Sequence, residues 1–334
     1  MPPPWFQNDA FPLFLAPMAG VTDVVFRSLC KEFGADVMLT EFVSAEGVLR
    51  RSRRTAVFTD FTEDQRPLGI QFFGADGPRM AEAARRVIEW RRPDFIDLNF
   101  GCPVSKVVAK NGGSSLLKDL PALSAVARAV VEGVGDMLPV TAKIRTGWDS
   151  RSVNALEVCR LLEDCGVQAI TVHGRTRSQG YSGEADWETI ASCARAVSVP
   201  VVGNGDIASG ADAARRKRET AVAGVMIGRA AMARPWIFRD IKQALATGAE
   251  PPQPTLAERW EIILRHCRMA VEGGRFRNEA VTMTAMRARL AAYCKGFPGA
   301  RHLRPLVTKV TSVAEVEAIA TQALAECAEL EERA

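Results

Sequence analysis

Several common signatures are missing from this chain of 334 residues, and each absence excludes a class of protein. The eight cysteines form no C-x-x-C pair, so the spacing typical of metal ligands is absent, and a disulfide framework is implausible at this length. The amino terminus lacks the basic and apolar regions of a signal peptide, and no apolar run approaches membrane-spanning length. We therefore expect a cytoplasmic, soluble protein with reduced thiols, no metal and no membrane association.

The composition is that of an ordinary soluble protein, with 47% hydrophobic and 25% charged residues. A formal net charge of +4 permits an anionic partner but does not require one. The length allows one large domain and a small one, with a substantial core.

Eight short apolar runs, each followed by an amphipathic stretch, predict eight strand–helix units. The predicted strands are Leu13–Met18, Asp36–Thr40, Pro67–Gly74, Asp94–Gly101, Pro139–Thr146, Ala169–Arg175, Val199–Asp206 and Gly224–Ala230. Several are apolar throughout, as strands covered on both faces should be. This alternation over roughly 250 residues predicts a (β/α)8 TIM barrel. An open doubly wound sheet would normally carry G-x-G-x-x-G after its first strand, and this chain does not.

A proline-rich segment follows the last predicted unit. We predict a catalytic barrel over residues 1–245, a linker over 246–254 and a small all-helical domain over 255–334. Thr255 and Glu258 have the spacing of a capping box at the start of its first helix. From Arg259 to Lys309 there are eleven Lys and Arg against three Asp and Glu, which fits either a solvated helix surface or a phosphate-binding one.

In such barrels the active site lies at the carboxyl ends of the strands. Polar or small residues recur at these predicted ends, while the strand interiors stay apolar, which indicates a site. In chain order they are Pro17, Met18, Ala19, Gln71, Asn99, Cys102, Lys143, Arg145, His173, Arg175, Asn204, Gly205, Asp206, Gly228 and Arg229.

The last two loops of a TIM barrel commonly bind phosphate, and small residues let backbone N–H groups approach it. Asn204–Asp206 and Gly228 suit that task, and Arg229 can pair with phosphate oxygens. The alternative is that the glycines are ordinary turn residues. We favour a phosphate-bearing cofactor.

Two further residues have alternative interpretations. Lys143 stands in an otherwise apolar strand, where an unpaired charge is costly; beside a flavin it would hold negative charge at the N1/C2 edge of the ring. His173 either shares that task or is a structural histidine.

Cys102 is either a buried structural thiol or a proton donor. Free cysteine is among the most buried residue types, which supports the first interpretation. Its place between Gly101 and Pro103, at the end of the fourth predicted strand, supports the second. A thiol with an ordinary pKa of about 8.5 stays mostly protonated at neutral pH and can donate its proton.

Taken together, these stretches resemble the tRNA-dihydrouridine synthase family. The resemblance follows the family's order along the barrel through residues 16–23, Thr40-Glu41, 71–74, 97–103, 143–147, 172–177, 203–207 and 227–230. The stretch 286–299 is similar to the tail of the bacterial B-type branch. Where that branch commonly reads Arg-Lys-His, this chain has Arg287-Ala-Arg289, and its basic segment Arg215–Arg218 also departs from the family's pattern.

The resemblance implies an oxidoreductase that reduces specific uridines in tRNA. It implies FMN bound at Pro17, Met18, Ala19, Gln71, Lys143, His173, Asn204, Gly205, Asp206, Gly228 and Arg229. NADPH would reduce the flavin, hydride would pass to C6 of the uracil, and Cys102 would protonate C5. Asn99, Arg145 and Arg175 would orient the base or a phosphate, and the basic helical domain, including Arg287 and Arg289, would bind tRNA.

Other hypotheses remain open at this stage. The same chemistry could act on ribosomal RNA, or a flavin barrel dehydrogenase could act on free pyrimidines, which would not need the basic tail. An RNA-binding protein without catalysis would not need Cys102, Lys143 and His173 together. We expect a monomer.

Overall fold

The computed structural model describes residues 1–8, 10–104, 107 and 112–332. Within them, nine strands in parallel pairs form one sheet. Their bounds are β1 Leu13–Leu15, β2 Met38–Leu39, β3 Val43–Ser44, β4 Leu68–Phe73, β5 Phe95–Asn99, β6 Val140–Arg145, β7 Ala169–His173, β8 Val201–Asn204 and β9 Gly224–Ile227. Eight lie within the predicted runs, and the short β3, which pairs with β4, was not predicted.

The sheet curves round until its two ends meet. Hydrogen-bonded neighbours follow the order β1-β9-β8-β7-β6-β5-β4-β2. The remaining seam, between β1 and the segment leading into β2, is joined by a parallel bridge between Phe14 and Val37, with Leu15 N donating to Val37 O at 3.0 Å. The predicted (β/α)8 TIM barrel is confirmed.

Helices follow the strands as the amphipathic stretches predicted. The α-helices of this unit are Val24–Glu32, Ala45–Leu49, Arg53–Phe58, Gly77–Arg91, Leu120–Val134, Ala155–Asp164, Trp187–Ala196, Gly210–Glu219 and Ile237–Thr247. Polar side chains satisfy their first N–H groups: Asp23 accepts from Phe26 N at 3.0 Å, for example. The segment after β2 contains two short helices, Ala45–Leu49 and Arg53–Phe58, which are too brief to show periodicity.

Aromatic residues fill the amino-terminal end of the barrel. Trp5 and Phe6, in the 3-10 turn Pro4–Phe6, pack against a buried cluster that includes Phe14 and Phe95. The ring centroids of Trp5 and Phe95 are 4.7 Å apart. Because Phe95 is the first residue of β5, this packing closes the end of the barrel opposite the predicted site.

The chain divides into two compact units. The first comprises Met1–Gly228 with Ile237–Glu250, and the second Arg229–Trp236 with Pro251–Ala334. The helices of the second unit are Arg229–Ala233, Leu256–Glu272, Glu279–Tyr293, Ala300–Val307 and Val313–Glu332. In the described residues, no helix has the length and apolar character needed to cross a membrane.

The second unit is held by a small core and a well-formed cap. Thr255 N donates to Glu258 Oε2 at 2.7 Å while Glu258 N donates to Thr255 Oγ1 at 3.3 Å, the reciprocal capping box expected from the sequence. Trp260 packs edge-on against Phe297, with ring centroids 5.5 Å apart. These contacts give the helices an apolar core of their own.

Gly69 in β4 offers a test of packing in the barrel. A Cβ at this position would overlap the ring of Phe95, its partner on β5. We expect Gly69→Ala to lower the free energy of unfolding by about 1–3 kcal/mol, as overpacked cores do. The matched control is Gly112→Ala, whose Cβ would lie no closer than 3.6 Å to any atom and whose φ of −104° suits alanine. Equal urea midpoints for the two variants would contradict this packing.

Candidate active site

Strand register brings the predicted site residues to one level of the barrel. Asn99 at the end of β5 pairs with Lys143 in β6, and His173 at the end of β7 pairs with Asn204 in β8. His173 and Asn204 are 7% and 9% exposed, so both are largely withdrawn from solvent. The carboxyl ends of the middle strands therefore meet as the barrel prediction required.

Lys143 is the most strongly perturbed cation at this mouth. Its Nζ donates to Asn204 Oδ1 at 3.2 Å, and Asn204 Nδ2 donates in turn to Met226 O at 2.7 Å. Burial and the nearby charge of Arg145 lower the pKa of Lys143 to about 7, although Asp97 acts in the opposite direction. The ammonium has three donors and uses one of them toward the residues that the structure describes, so it can donate to an electronegative ligand.

Asp97 is a buried carboxyl that was not among the predicted site residues. It accepts from Gln71 Nε2 at 2.6 Å and from Thr141 Oγ1 at 2.5 Å. Burial raises its pKa to about 6, against the effect of these two hydrogen bonds and of Lys143. The available signal was a single carboxyl inside the apolar run Phe95–Asn99.

Hydrogen bonds to its backbone N–H and to its carbonyl hold Cys102 in place. Its N–H donates to Asn99 Oδ1 at 2.8 Å, and its carbonyl accepts from Ser114 Oγ at 2.8 Å. Cys102 is 5% exposed, and this burial raises the pKa of its thiol, partly offset by a hydrogen bond from the backbone of Val104 and by the charge of Arg145. The thiol therefore stays protonated at neutral pH and keeps a proton to donate.

Arg145, predicted to contact substrate, binds backbone carbonyls of two loops. Its Nε donates to Gly101 O at 3.0 Å, and its Nη1 donates to Thr176 O at 2.8 Å and to Gly180 O at 3.0 Å. The guanidinium thus ties the loop after β5 to the loop after β7. In the described part of the chain its Nη2 has no hydrogen-bond partner, which leaves one nitrogen for a ligand.

Arg175 is engaged in a similar way. Its Nη2 lies 2.7 Å from Asp206 Oδ2 and donates to Gly183 O at 2.6 Å, while its buried Nη1 makes no hydrogen bond to any residue that the structure describes. Asp206 also accepts from Ala185 N at 2.7 Å, so its carboxylate organises the loop after β7. Gly205 has φ +131°, and its Cβ would lie 2.5 Å from the Ala185 side chain, so this turn requires glycine.

The loops after the first and last strands also meet. A Cβ on Gly228 would lie 3.5 Å from Ala16 Cβ and 3.7 Å from Met18 Sδ. Pro17–Ala19 is fixed by Thr22, whose Oγ1 accepts from Met18 N at 2.9 Å. Arg229 follows directly in the chain and begins the first helix of the second unit. The assignment of these residues to a cofactor stays a prediction.

Arg287 and Arg289 lie in the second unit, apart in sequence from the barrel loops. Arg287 donates through Nη2 to Lys309 O at 2.7 Å and through Nε to Val310 O at 3.0 Å. Arg289 is 6% exposed, and its Nη1 lies 3.3 Å from Met286 Sδ. Both side chains therefore support the helical unit itself, and their predicted contact with RNA is untested.

No group of three or more His, Cys, Asp or Glu within the described residues is arranged to hold a metal ion. The ionisable side chains described at the mouth are the thiol of Cys102, the ammonium of Lys143, the imidazole of His173, the carboxyls of Asp97 and Asp206 and the guanidinium groups of Arg145 and Arg175.

Comparison with known proteins gives this arrangement a family. Residues 14–329 match the dihydrouridine synthase (Dus) family. The chain belongs to the dihydrouridine synthase family. The resemblance found in the sequence motifs is thereby confirmed, since the match covers the barrel strands and most of the helical unit.

Curated relatives are similar over most of their length. "tRNA-dihydrouridine synthase B" of Pseudomonas putida is 46% identical over 76% of this chain and 74% of its own. The protein of the same name from Pseudomonas aeruginosa is 42% identical over 87% of this chain and 86% of its own. A "Probable tRNA-dihydrouridine synthase" of Rickettsia conorii is 38% identical over 88% of both chains.

Solved structures support the fold alone. Histamine dehydrogenase from Rhizobium sp. 4-9 aligns with a TM-score of 0.51 and 16% identity, covering 77% of this chain and 48% of that one. The 6-hydroxypseudooxynicotine amine oxidase from Pseudomonas geniculata gives the same TM-score and identity over 75% of this chain and 50% of that one.

The lowered pKa of Lys143 predicts a pH-dependent stability. With a pKa of about 7 in the folded protein against 10.5 ordinarily, the folded state binds fewer protons than the unfolded chain between these values. Stability from this group therefore rises with pH across that window, by up to about 1.4 kcal/mol per unit. Lys143→Met should remove the slope, as measured by urea unfolding of the cofactor-free protein from about pH 7 to about pH 9.

The comparison with Lys143→Met isolates this lysine, because other titrating groups are shared by both proteins. Asp97, with its pKa raised to about 6, titrates mainly below the window. A difference in unfolding free energy that stays constant with pH would show that Lys143 has an ordinary pKa.

Proposed function

We propose that this protein reduces the C5–C6 double bond of uridines in tRNA, with FMN as its bound cofactor and NADPH as the electron donor. The observation that carries the proposal is the buried, protonated thiol of Cys102, fixed near Lys143 at the mouth of the barrel. Family membership and the names of the curated relatives support the same reaction.

The residues at the mouth fit a flavin nucleotide. Lys143, Gln71 and His173 would bind the ring, and the loops at Asn204–Asp206 and Gly228 would bind the phosphate. The fit rests on Lys143, which has donors to spare and an ammonium whose charge costs energy until an electronegative group faces it. When bound, reduced FMN supplies the hydride for C6 of the uracil.

Cys102 would supply the proton. Adding hydride at C6 leaves negative charge at C5 and the neighbouring carbonyl, and a nearby acid is needed to quench it. The thiol gives its proton to C5 and becomes a thiolate. That thiolate is stabilised by the backbone of Val104 and by the charges of Arg145 and Lys143.

The helical unit would bind the RNA backbone. A uridine in folded tRNA must be extruded to reach a barrel mouth, which costs a few kcal/mol and requires grip elsewhere. Exposed cations on the second unit are available for phosphates; they are Arg277, Lys295, Arg301, Arg304 and Lys309. Such binding weakens as salt rises, because counterions are released from the RNA.

A direct assay tests the proposed function. The purified protein is incubated with NADPH and, in separate reactions, with tRNA from cells lacking the gene, ribosomal RNA from the same cells or free uridine monophosphate. The products are separated and identified by mass spectrometry, after digestion to nucleosides for the RNAs. Dihydrouridine in the tRNA supports the proposal. Dihydrouridine only in ribosomal RNA, or reduction only of free uridine monophosphate, would overturn it.

Replacing the thiol separates chemistry from binding. We expect Cys102→Ala to keep FMN and tRNA binding while the rate of dihydrouridine formation falls by about a hundredfold or more, the usual contribution of a general acid. Single-turnover assays with reduced enzyme and tRNA measure this. The control is Cys327→Ala in the helical unit, and an undiminished rate in the Cys102 variant would remove the thiol from the mechanism.

Charge reversal on the helical unit tests the RNA surface. Arg301 and Arg304 are exposed and lie on the helix Ala300–Val307. Changing both residues to glutamate should weaken tRNA binding about tenfold. The slope of log binding constant against log salt concentration should decrease by the equivalent of about one to two phosphate contacts, and the flavin content should stay the same. The charge-matched control is Lys217→Glu/Arg218→Glu, at two exposed positions on the barrel helix Gly210–Glu219. Equal affinities of the two double variants in a salt titration would place the RNA elsewhere.

A further inference from the structure

An unbroken row of hydrogen bonds links Asp97 to the backbone of Cys102. Gln71 Nε2 donates to Asp97 Oδ2 at 2.6 Å, and Asn99 Nδ2 donates to Gln71 Oε1 at 2.8 Å. Asn99 Oδ1 then accepts from Cys102 N at 2.8 Å and from Gly101 N at 3.1 Å. Asp97, Gln71 and Asn99 are all buried, so water does not compete for these bonds.

The direction of this row is fixed from both ends. A backbone N–H can only donate, so the oxygen of Asn99 must face Cys102 and its NH2 must face Gln71. At the other end an ionised carboxylate can only accept, so the NH2 of Gln71 must face Asp97. Both ends demand the same orientation of the two amides, and a flip of either would place two acceptors against each other in a buried site.

We propose that Asp97 is a positioning residue for Cys102, acting through the amides of Gln71 and Asn99. It rests on the proposed function, in which Cys102 is the proton donor. Asp97 itself does not touch the thiol. Its carboxylate selects one orientation of Gln71, Gln71 selects one orientation of Asn99, and Asn99 then holds the turn that carries Cys102 at the strand end.

The burial of Asp97, which is 2% exposed, suits this role, because a buried carboxyl is destabilising unless it forms hydrogen bonds. Thr141 satisfies one oxygen at 2.5 Å, and the amide of Gln71 satisfies the other. An apolar residue would pack here at lower cost, but it would leave Gln71 Nε2 without its acceptor, and the two amides would then be oriented from the Cys102 end alone.

The row can be reversed by exchanging its two end residues. Asn99→Asp places a second carboxylate against Gln71. Because the NH2 group of Gln71 already faces Asp97, its Oε1 would lie against a carboxylate oxygen at position 99, and two acceptors would meet. In Asp97→Asn/Asn99→Asp the amide at position 97 donates to Gln71 Oε1, and Gln71 Nε2 donates to the carboxylate at position 99. That carboxylate still accepts from the backbone N–H of Cys102, and the net charge is unchanged.

The readout is the reactivity of the Cys102 thiol, which does not depend on tRNA or on turnover. Iodoacetamide is applied to the purified holoenzyme, and alkylation of the Cys102 peptide is followed by mass spectrometry. Because a loosened turn exposes the thiol, we expect Asn99→Asp to raise the alkylation rate about fivefold or more, and the exchanged double variant to return it close to wild type. Single-turnover dihydrouridine formation should fall about tenfold or more in the first and recover in part in the second.

Further variants keep the proposal falsifiable. Asp97→Leu removes the end acceptor and should raise alkylation as Asn99→Asp does, whereas Asn278→Asp, which keeps its helix cap in the other unit, should leave it unchanged. Equal alkylation in Asn99→Asp and the double variant, or wild-type alkylation in Asp97→Leu, would overturn the proposal. If alkylation follows the expected pattern and the wild-type protein makes no dihydrouridine, the proposed reaction fails and the positioning role stands.

Discussion

The seam between the first two strands of the barrel is the constraint on which the rest depends. The other strand pairs are joined by ladders of two or more partners, but this one is held by the bridge from Phe14 to Val37 and the hydrogen bonds around it. Closure of the circle gathers the carboxyl ends of the strands into one mouth, where the ladders of adjacent strands place Asn99 beside Lys143 and His173 beside Asn204. The aromatic packing of Trp5 against Phe95 closes the opposite, amino-terminal end of the barrel.

The charged forms of two buried groups at the mouth, Asp97 and Lys143, are less stable than they would be in water. The pKa of Asp97 is raised to about 6 and that of Lys143 is lowered to about 7, each mainly by burial. The attraction between Asp97 and Lys143 offsets part of this loss of solvation. A ligand with electronegative atoms facing Lys143 would offset more of it, so ligand binding and folding stability are coupled at this site.

Sequence reasoning predicted the barrel well because its strands are short apolar runs with clear breaks. It also placed Cys102 just past a strand end, because Gly101 and Pro103 interrupt the apolar run, and the strand does end at Asn99; the role of the thiol stays a prediction. It did not single out Asp97, although this carboxyl is buried beside Gln71 and Thr141. The hydrogen bonds of Arg145 join residues that are distant along the chain, and Arg289 is buried in the helical unit. No local sequence pattern encodes either feature.

The guanidinium of Arg145 has a consequence for how such a protein can diversify. Because one side chain binds the carbonyls of Gly101, Thr176 and Gly180, the loops after β5 and β7 share a single anchor. An insertion in either loop that shifts these carbonyls disturbs the other loop as well. Changes of substrate preference are therefore expected to arise by replacing side chains along these loops, or by altering loops that Arg145 does not bind, more readily than by changing their length.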